Sequence, residues 1–244
     1  MKSFESFLLS EDSFSEIVIG NTALVRGMIE AHTRVVTSYP GSPMPEVAEA
    51  IGNISKEKRP FYFEFSTNEK VATEIAFGAS VNGYLSTVFF KSVGLNVAAD
   101  SFVQLSLMDL KGGMVVVIGD DPGANSSQNE QDNRHYAQLS YMPVFEPSTP
   151  QEVYEMYKEA ASISQEKNMP VILRLSTHVC HAKEKVNFSS WKKVKFKKNP
   201  IFSSENENYV PITSKVFPMK RRALNRLENF KKYADKSNFN KKIN

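Results

Sequence analysis

Several segments rich in glycine, serine and asparagine follow predicted strands, and their residues are the best suited to bind a ligand. They are SYPGSP (38–43), STNE (66–69), KSVGLN (91–96) and GDDPGANSSQNEQDNR (119–134). Glycine permits a close approach of the backbone, and hydroxyl, amide and carboxyl groups bind ligands or move protons. The sequence therefore predicts a ligand-binding site built from these loops.

Short β-branched runs alternate with amphipathic stretches from residue 17 onward. The predicted strands are Ile17–Ile19, Arg34–Thr37, Phe61–Phe65, Leu85–Lys91, Met114–Gly119, Val144–Glu146 and Val171–Ser176. The predicted helices are Thr22–Ala31, Glu46–Ile54, Glu69–Asn82, Val97–Leu110, Glu130–Leu139 and Pro150–Glu166, with Asn21 and Thr149 as N-caps of the first and last. This alternation is typical of an α/β fold: a doubly wound, mainly parallel sheet with helices on both faces.

The polar segments should all lie on one rim of this sheet. In open parallel sheets, ligands bind outside the carboxyl ends of the strands, where loops and helix N-termini meet. We therefore expect Ser42, Glu69, Gly94 and Asp120 to lie on the same rim.

No metal site is expected in this chain. Asp120 and Asp121 are adjacent after a strand, so their carboxylates should diverge. His178, Cys180 and His181 are predicted on an edge strand, where alternate side chains point to opposite faces and cannot converge on one ion. With Cys180 as its one cysteine, the chain cannot form an internal disulfide or supply the four thiolates of an iron–sulfur cluster.

The composition and charge exclude several classes of protein. With 41% hydrophobic and 23% charged residues, the chain is neither fibrous nor wholly disordered. Residues 1–190 hold 15 Lys and Arg against 23 Asp and Glu, whereas residues 191–244 hold 15 against 4. This basic segment is predicted to be a linker or subunit-docking arm, extended over 199–218 and helical over 219–234. It has no nucleic-acid-binding signature, so no nucleic-acid partner is expected.

The location of the protein is predicted from its apolar runs. The first sixteen residues carry only a short run, Phe7–Leu9, and resemble no signal peptide. The longest buried-looking stretch, Met114–Ile118, is far too short for a membrane helix. We expect a cytoplasmic protein with no membrane partner.

Six segments carry a resemblance to a known family. They are GNTALVRGMIEA, VVTSYPGSP, STNEKVATEIAFGAS, KSVGLNVAAD, GGMVVVIGDDPGANSSQNEQDNRHYA and LRLSTHV, in this order between residues 20 and 179. Together they resemble the N-terminal, pyrimidine-binding (Pyr) domain of the indolepyruvate:ferredoxin oxidoreductase α subunit, within the thiamine diphosphate-dependent 2-oxoacid:ferredoxin oxidoreductases. The resemblance implies a Pyr-type thiamine diphosphate-binding domain over residues 1–190, followed by the basic arm of residues 191–244.

The resemblance also implies roles for particular residues. Glu69 matches the glutamate that hydrogen-bonds N1′ of the aminopyrimidine and so promotes removal of the thiazolium C2 proton; the alternative is a carboxylate that merely caps the helix. Cofactor contacts are implied for Tyr39, Pro40, Gly41, Ser42, Glu69, Gly94 and Asn96, and substrate contacts for Ser42, Ser92 and Arg134. For Arg134, the alternative to a substrate contact is an ion pair on the protein surface. Ser92 stands where the family usually has histidine, and Met44 and Pro45 where small hydroxyl residues are common.

The activity implied is that of one part of a larger enzyme. The chain would supply the aminopyrimidine half of a shared thiamine diphosphate site and would be inactive alone. Mg²⁺ and iron–sulfur clusters would lie on a diphosphate-binding and ferredoxin-type domain or subunit of a hetero-oligomer. The reaction implied is oxidative decarboxylation of an aryl 2-oxoacid to acyl-coenzyme A, with ferredoxin as electron acceptor. A non-catalytic Pyr-like scaffold or interaction module is the alternative.

Overall fold

The computed structural model describes residues 4–194, 202 and 209–240 of the chain. The strands are β1 (Phe14–Ile19), β2 (Val35–Ser38), β3 (Tyr62–Phe65), β4 (Ser86–Lys91), β5 (Met114–Asp120), β6 (Val144–Phe145), β7 (Pro170–Ser176) and β8 (Lys183–Phe188). The helices are α1 (Phe4–Leu8), α2 (Gly20–Glu30), α3 (Pro45–Gly52), α4 (Glu69–Val81), α5 (Gly94–Phe102), α6 (Arg134–Ser140), α7 (Pro150–Lys167), α8 (Thr177–His181) and α9 (Thr213–Ala234).

Six strands form one parallel sheet in the order β3-β2-β4-β5-β7-β6. Val115 and Val117 of the central strand β5 belong to the core cluster shared with α2, α3 and α7. Val116 and Ile118 belong to the second cluster, shared with α4, α5, α6 and α9. Because alternate strand residues point to opposite faces, both faces of the sheet are buried under helices, which confirms the predicted fold class.

The first predicted strand is not part of this sheet, contrary to expectation. Ile17–Ile19 lies in β1, which pairs antiparallel with β8 in a separate two-stranded sheet. β8 was not predicted, because its sequence KEKVNF buries only Val186 and Phe188 and otherwise consists of exposed or half-buried polar residues. The pairing joins segments far apart in the sequence, which local periodicity does not reveal.

A buried arginine attaches this small sheet to the domain. Arg26 of α2 is fully buried, and its guanidinium donates hydrogen bonds to the carbonyls of Leu8, Ser10 and Ser189. Its Nε forms an ion pair with Glu30 at 2.8 Å. Arg26 thereby connects segments that come before and after the main sheet.

The helix of the basic arm, α9, contacts the domain. Met219 and Ala223 of α9 are buried, and Arg226 donates to Asp109 Oδ1 and to the carbonyl of Asn168. The predicted helix 219–234 is therefore present but begins earlier, at Thr213, and Pro218 lies within it. Over 213–218 the predicted extended conformation is wrong, and much of 199–212 lies outside the described residues.

Other element boundaries also differ from prediction. α2 begins at Gly20 and has no side-chain cap, so Asn21 is not its N-cap. Thr149 caps α7 as predicted. α5 begins at Gly94 and ends at Phe102, and α6 begins only at Arg134. The segment with His178, Cys180 and His181 is the short helix α8, not an edge strand. Within the described ranges, no helix is long and apolar enough to cross a membrane.

Candidate functional site

Four loops meet at the carboxyl ends of β2, β3, β4 and β5. These strands are neighbours in the sheet and their carboxyl ends lie side by side, with Ser38 paired to Phe65 and Lys91 to Gly119. Ser42, Glu69, Gly94 and Asp120 all lie in or beside the loops that follow. The predicted single rim is therefore confirmed, and it results from the parallel order of the strands.

Glu69 is the first residue of α4, and its side chain is buried. The N-cap is Asn68, whose side chain accepts a hydrogen bond from the N–H of Val71 at 2.9 Å. Glu69 is only 6% exposed. Burial raises the pKa of its carboxyl above the ordinary value, while its own backbone N–H and the charge of Lys91 lower that pKa by smaller amounts. Because Asn68 supplies the N-cap, Glu69 is not the N-cap residue of α4.

Gly94, the first residue of α5, forms one wall around this carboxyl. A Cβ at residue 94 would lie 2.5 Å from Glu69 Oε1 and 2.8 Å from its Cγ. Any side chain here would have to displace Glu69. The requirement for glycine therefore arises from the close approach of two helix starts.

Lys91, at the end of β4, lies between the glutamate and the loop after β2. A Cβ at Gly41 would be 2.6 Å from Lys91 Cδ, so the lysine side chain packs on the glycine. Its ammonium donates to Gln128 Oε1 at 3.1 Å. Sequence reasoning assigned no role to Lys91, although it begins the KSVGLN segment.

The loop after β2 is held in place by Asn21. Asn21 is fully buried, and its Nδ2 donates to the carbonyl of Pro43 at 2.8 Å and to Glu46 Oε2 at 2.9 Å. Its contact with the loop was not predicted, because the sequence favoured a role for Asn21 as a helix cap. Met44 is buried against Gly119, where an added Cβ would be 2.8 Å from Met44 Cγ.

The loop after β5 bonds back to the start of α5. Gln131 and Asn133 donate to the carbonyl of Ser92, at 3.0 and 3.4 Å respectively. Asn96 donates to Gln131 Oε1 at 2.9 Å. Ser92 itself is only 1% exposed, so its hydroxyl lies in the interior while its carbonyl is the bonding group. Residues 130–133 were predicted to be helical, so the hydrogen bonds of Gln131 and Asn133 to the Ser92 carbonyl were not expected.

Arg134 forms surface ion pairs, which was the alternative to its predicted contact with the substrate. Its Nε lies 2.8 Å from Glu146 Oε1, and its Nη1 lies 3.2 Å from Asp132 Oδ2. Arg174 of β7 pairs with the buried Asp120 and with Glu146. Both arginines border a cleft of about 580 Å³ at the ends of β5, β6 and β7.

An apolar cavity of about 330 Å³ lies on the α3 side of the loop after β2. Its lining residues are Ser38, Pro40, Gly41, Met44, Pro45, Ala48, Glu49, Phe65 and Phe89. Tyr39 in the same loop is 39% exposed and Phe65 is 49% exposed. The rim thus presents aromatic and apolar groups beside a buried carboxyl.

The acidic and sulfur-containing candidates do not form a metal site. Asp120 bonds to Arg174 and Asn133, whereas Asp121 accepts from the N–H of Ser126 and from Thr177, so the two carboxylates diverge as predicted. Burial raises the pKa of the Cys180 thiol. Among the residues that the structure describes, no group of three or more His, Cys, Asp or Glu could hold a metal ion.

Comparison with known families matches residues 26–238 to the model described as pyruvate flavodoxin/ferredoxin oxidoreductase, thiamine diphosphate-binding. This chain belongs to that family. The matched part of the chain includes the four rim loops, Glu69 and most of α9.

Relatives of the chain carry a more specific name. It is 42% identical over 231 residues to indolepyruvate oxidoreductase subunit IorA of Methanothermobacter marburgensis, which covers 93% of this chain and 36% of the relative. The corresponding subunit of Pyrococcus horikoshii is 40% identical over 233 residues, covering 92% of this chain and 35% of the relative. The chain thus spans little more than a third of the length of these curated relatives.

A solved structure has the same fold as this chain. It is 2-oxoglutarate:ferredoxin oxidoreductase from Magnetococcus marinus, which matches with a TM-score of 0.71 and 15% identity. The match covers 90% of this chain and 45% of the other. The match shows a shared fold over the parts of the two chains that it covers.

The rim residues fit the aminopyrimidine part of thiamine diphosphate. The N1′ atom requires a carboxyl that can share a proton, and Glu69 is buried with a raised pKa. The backbone of Gly94 lies directly against this carboxyl, so no side chain of residue 94 covers the group that would bind N1′. The carboxyl groups of Asp120 and Asp121, which lie near the rim, are bonded to protein partners.

Proposed function

We propose that this chain supplies the aminopyrimidine half of a thiamine diphosphate site in a 2-oxoacid:ferredoxin oxidoreductase. The observation that carries the proposal is the buried Glu69 carboxyl, at the start of α4 and against Gly94. The family, the IorA relatives and the shared fold support it.

Thiamine diphosphate, when bound, supplies a carbanion-forming centre that allows a 2-oxoacid to lose carbon dioxide. The role of Glu69 is to hold a proton at its carboxyl and share it with N1′ of the pyrimidine. Burial favours the protonated carboxyl, which is the form that donates such a bond. Gly94, the Tyr39–Ser42 loop and Asn96, which is hydrogen-bonded to Gln131, would contact the ring.

The remaining half of the site would come from another domain or chain. Since the chain spans about a third of its IorA relatives, we infer that the diphosphate-binding part, Mg²⁺ and iron–sulfur clusters lie outside it. The working enzyme would then be a hetero-oligomer with ferredoxin as electron acceptor and coenzyme A as acyl acceptor. The residues 191–244 would remain an extension of the 1–190 Pyr-type domain, docked through α9.

An aryl 2-oxoacid such as indolepyruvate is the proposed substrate. The names of the IorA relatives support an indole side chain. The apolar cavity beside the Tyr39–Pro43 loop supports it too, because its lining includes Phe65, Phe89 and Met44. Pockets lined by apolar and aromatic side chains favour the binding of aromatic ligands.

A scaffold without catalytic activity is the second candidate. It is favoured by Ser92, which supplies no imidazole and whose side chain is buried, and by the bulky Met44. Such a scaffold would assemble with its partners but would not need a proton-sharing carboxyl at residue 69.

Cofactor binding separates these candidates. Calorimetry should detect no thiamine diphosphate binding to the isolated chain and clear binding after addition of the diphosphate-binding partner obtained by co-purification. Micromolar binding to the chain alone would contradict the split site. Assembly with the partner but without cofactor binding would favour the scaffold.

A further inference from the structure

The substrate of the proposed function carries a carboxylate next to its reacting carbonyl, and binding it requires a cation or strong donor at the site. Arg134 and Arg174 are the arginines of the rim. Arg174 contacts Asp120 and Glu146, and Arg134 contacts Asp132 and Glu146. Their charges are therefore neutralised by carboxylates of the protein itself, and a substrate carboxylate would have to compete with these.

Lys91 differs from both arginines in its surroundings. Its ammonium donates to a neutral amide, Gln128 Oε1, and an ammonium has three donors. Within the described residues, no carboxylate oxygen lies within 4.0 Å of its nitrogen. Its charge thus has no direct counter-ion in that part of the chain.

The position of Lys91 is also that of a substrate-binding group. Its stem packs on Gly41, one residue from Ser42, and its charge acts on the Glu69 carboxyl. Lys91 is therefore close enough to Glu69 for their charges to interact, although no ion pair joins them. A ligand anchored at Lys91 would lie between the loop after β2 and the proton-sharing carboxyl.

We propose that Lys91, rather than Arg134, receives the carboxylate of the 2-oxoacid through a charge-assisted hydrogen bond. No covalent step is involved, since the ammonium keeps its protons and only positions and neutralises the substrate. This inference rests on the proposed function, because it assumes a 2-oxoacid at the Glu69 site.

The test uses the assembled complex with the variants Lys91→Met and Lys91→Arg. Two competitive probes differ only in charge: indole-3-acetate carries a carboxylate, and indole-3-acetamide is neutral. Inhibition constants are measured for both probes, together with KM and kcat for indolepyruvate. Lys70→Met is the matched control, because Lys70 is next to Glu69 in sequence but pairs with Asp100 at 2.7 Å. If Lys91→Met does not assemble, Lys91→Gln replaces it.

We expect Lys91→Met to weaken indole-3-acetate about 10- to 100-fold and to change indole-3-acetamide less than about twofold. Lys91→Arg should retain most of the affinity for indole-3-acetate, and Lys70→Met should change neither probe. A merely structural role of the lysine stem would weaken both probes equally, which would overturn the inference, as would unchanged indole-3-acetate binding.

Failure of the proposed function gives a different result. In that case the wild-type complex would neither turn over indolepyruvate nor bind either probe, and the inference about Lys91 would be overturned with it. A wild-type complex that is active and binds indole-3-acetate, with Lys91→Met unaffected, would overturn only the role of Lys91. An Arg134→Met variant that selectively loses indole-3-acetate would assign the carboxylate to Arg134 instead.

Discussion

Gly94 lies so close to the carboxyl of Glu69 that a Cβ at residue 94 would stand 2.5 Å from Glu69 Oε1. The contact joins the first residues of two helices, α4 and α5, that follow neighbouring loops of the rim. Because protein interiors are close-packed, a shift at either residue is transmitted to the other. The position of the proposed catalytic carboxyl therefore depends on the β4–α5 turn as well as on its own helix.

Glu69→Gln should abolish most turnover of the assembled enzyme while leaving assembly intact. Glutamine keeps the size of the side chain but has no carboxyl proton to share, and contributions of this kind are about 10²- to 10⁴-fold in rate. The measurement is C2 proton exchange of bound cofactor together with kcat. The control is Glu74→Gln on the same helix, an exposed residue that accepts from Ser101. Unchanged exchange in Glu69→Gln would remove this residue from catalysis and favour the scaffold.

Gly94→Ala should displace Glu69 and reduce turnover without unfolding the domain. The added methyl group would overlap the carboxylate, which can move only away from the site or into its helix. We expect a loss of about 1–3 kcal/mol in the free energy of unfolding and a larger relative fall in kcat. Gly78→Ala is the control: no atom lies within 4 Å of its added Cβ, and alanine in helix α4 should stabilise by about 0.5–1 kcal/mol. Full activity of Gly94→Ala would contradict the contact.

Gly41→Ala should change substrate binding more than stability. Its Cβ would collide with Lys91 Cδ and Cγ, atoms of a flexible side chain that can move aside at small cost. The displaced ammonium would then leave its position near Glu69. KM for the 2-oxoacid should rise about tenfold, while the midpoint of urea unfolding stays nearly constant. Gly52→Ala, where no atom is within 4 Å of the added Cβ, should leave KM unchanged.

Arg174→Met should destabilise the domain far more than Arg134→Met. Both arginines contact Glu146, but the Arg174 side chain is 12% exposed and the Arg134 side chain is 53% exposed. Loss of Arg174 leaves the buried Asp120 without its cation, at a cost of about 3–5 kcal/mol. Loss of Arg134 removes a surface ion pair worth about 0–1 kcal/mol. Urea unfolding of the two variants measures the difference, and equal losses would show that Asp120 does not depend on Arg174.

The pH dependence of stability should reveal the raised pKa of Glu69. Burial raises that pKa above its ordinary value of 4.5, so between 4.5 and the folded-state value the native protein holds a proton that the unfolded chain has lost. The contribution of Glu69 to stability is therefore complete below pH 4.5 and is lost as pH rises through the folded-state pKa. Glutamine does not titrate. Relative to wild type, Glu69→Gln should thus gain stability as pH rises above 4.5, as measured by urea unfolding at successive pH values. An opposite slope would mean that the folded-state pKa is lowered.

The rim and its parallel strands could be predicted from the sequence because they depend on short-range patterns. The runs at Met114–Ile118 and Val171–Leu173 are apolar at successive positions, which requires helices on both faces of a sheet. Once the strands are parallel, the loop that follows each of them must lie on one rim, and Glu69 is placed there by its position at a helix start.

The tertiary structure alone decided which groups on that rim meet. Glu69 is buried against Gly94, which comes from another loop, and Lys91, whose charge acts on Glu69, packs its stem on Gly41. β1 pairs with β8, although most of the chain lies between them in sequence. Arg226 of α9 bonds to residues 106–109 and 168. These contacts join residues distant in sequence, and their free energy comes from packing and burial in three dimensions, which leaves no periodic signal along the chain.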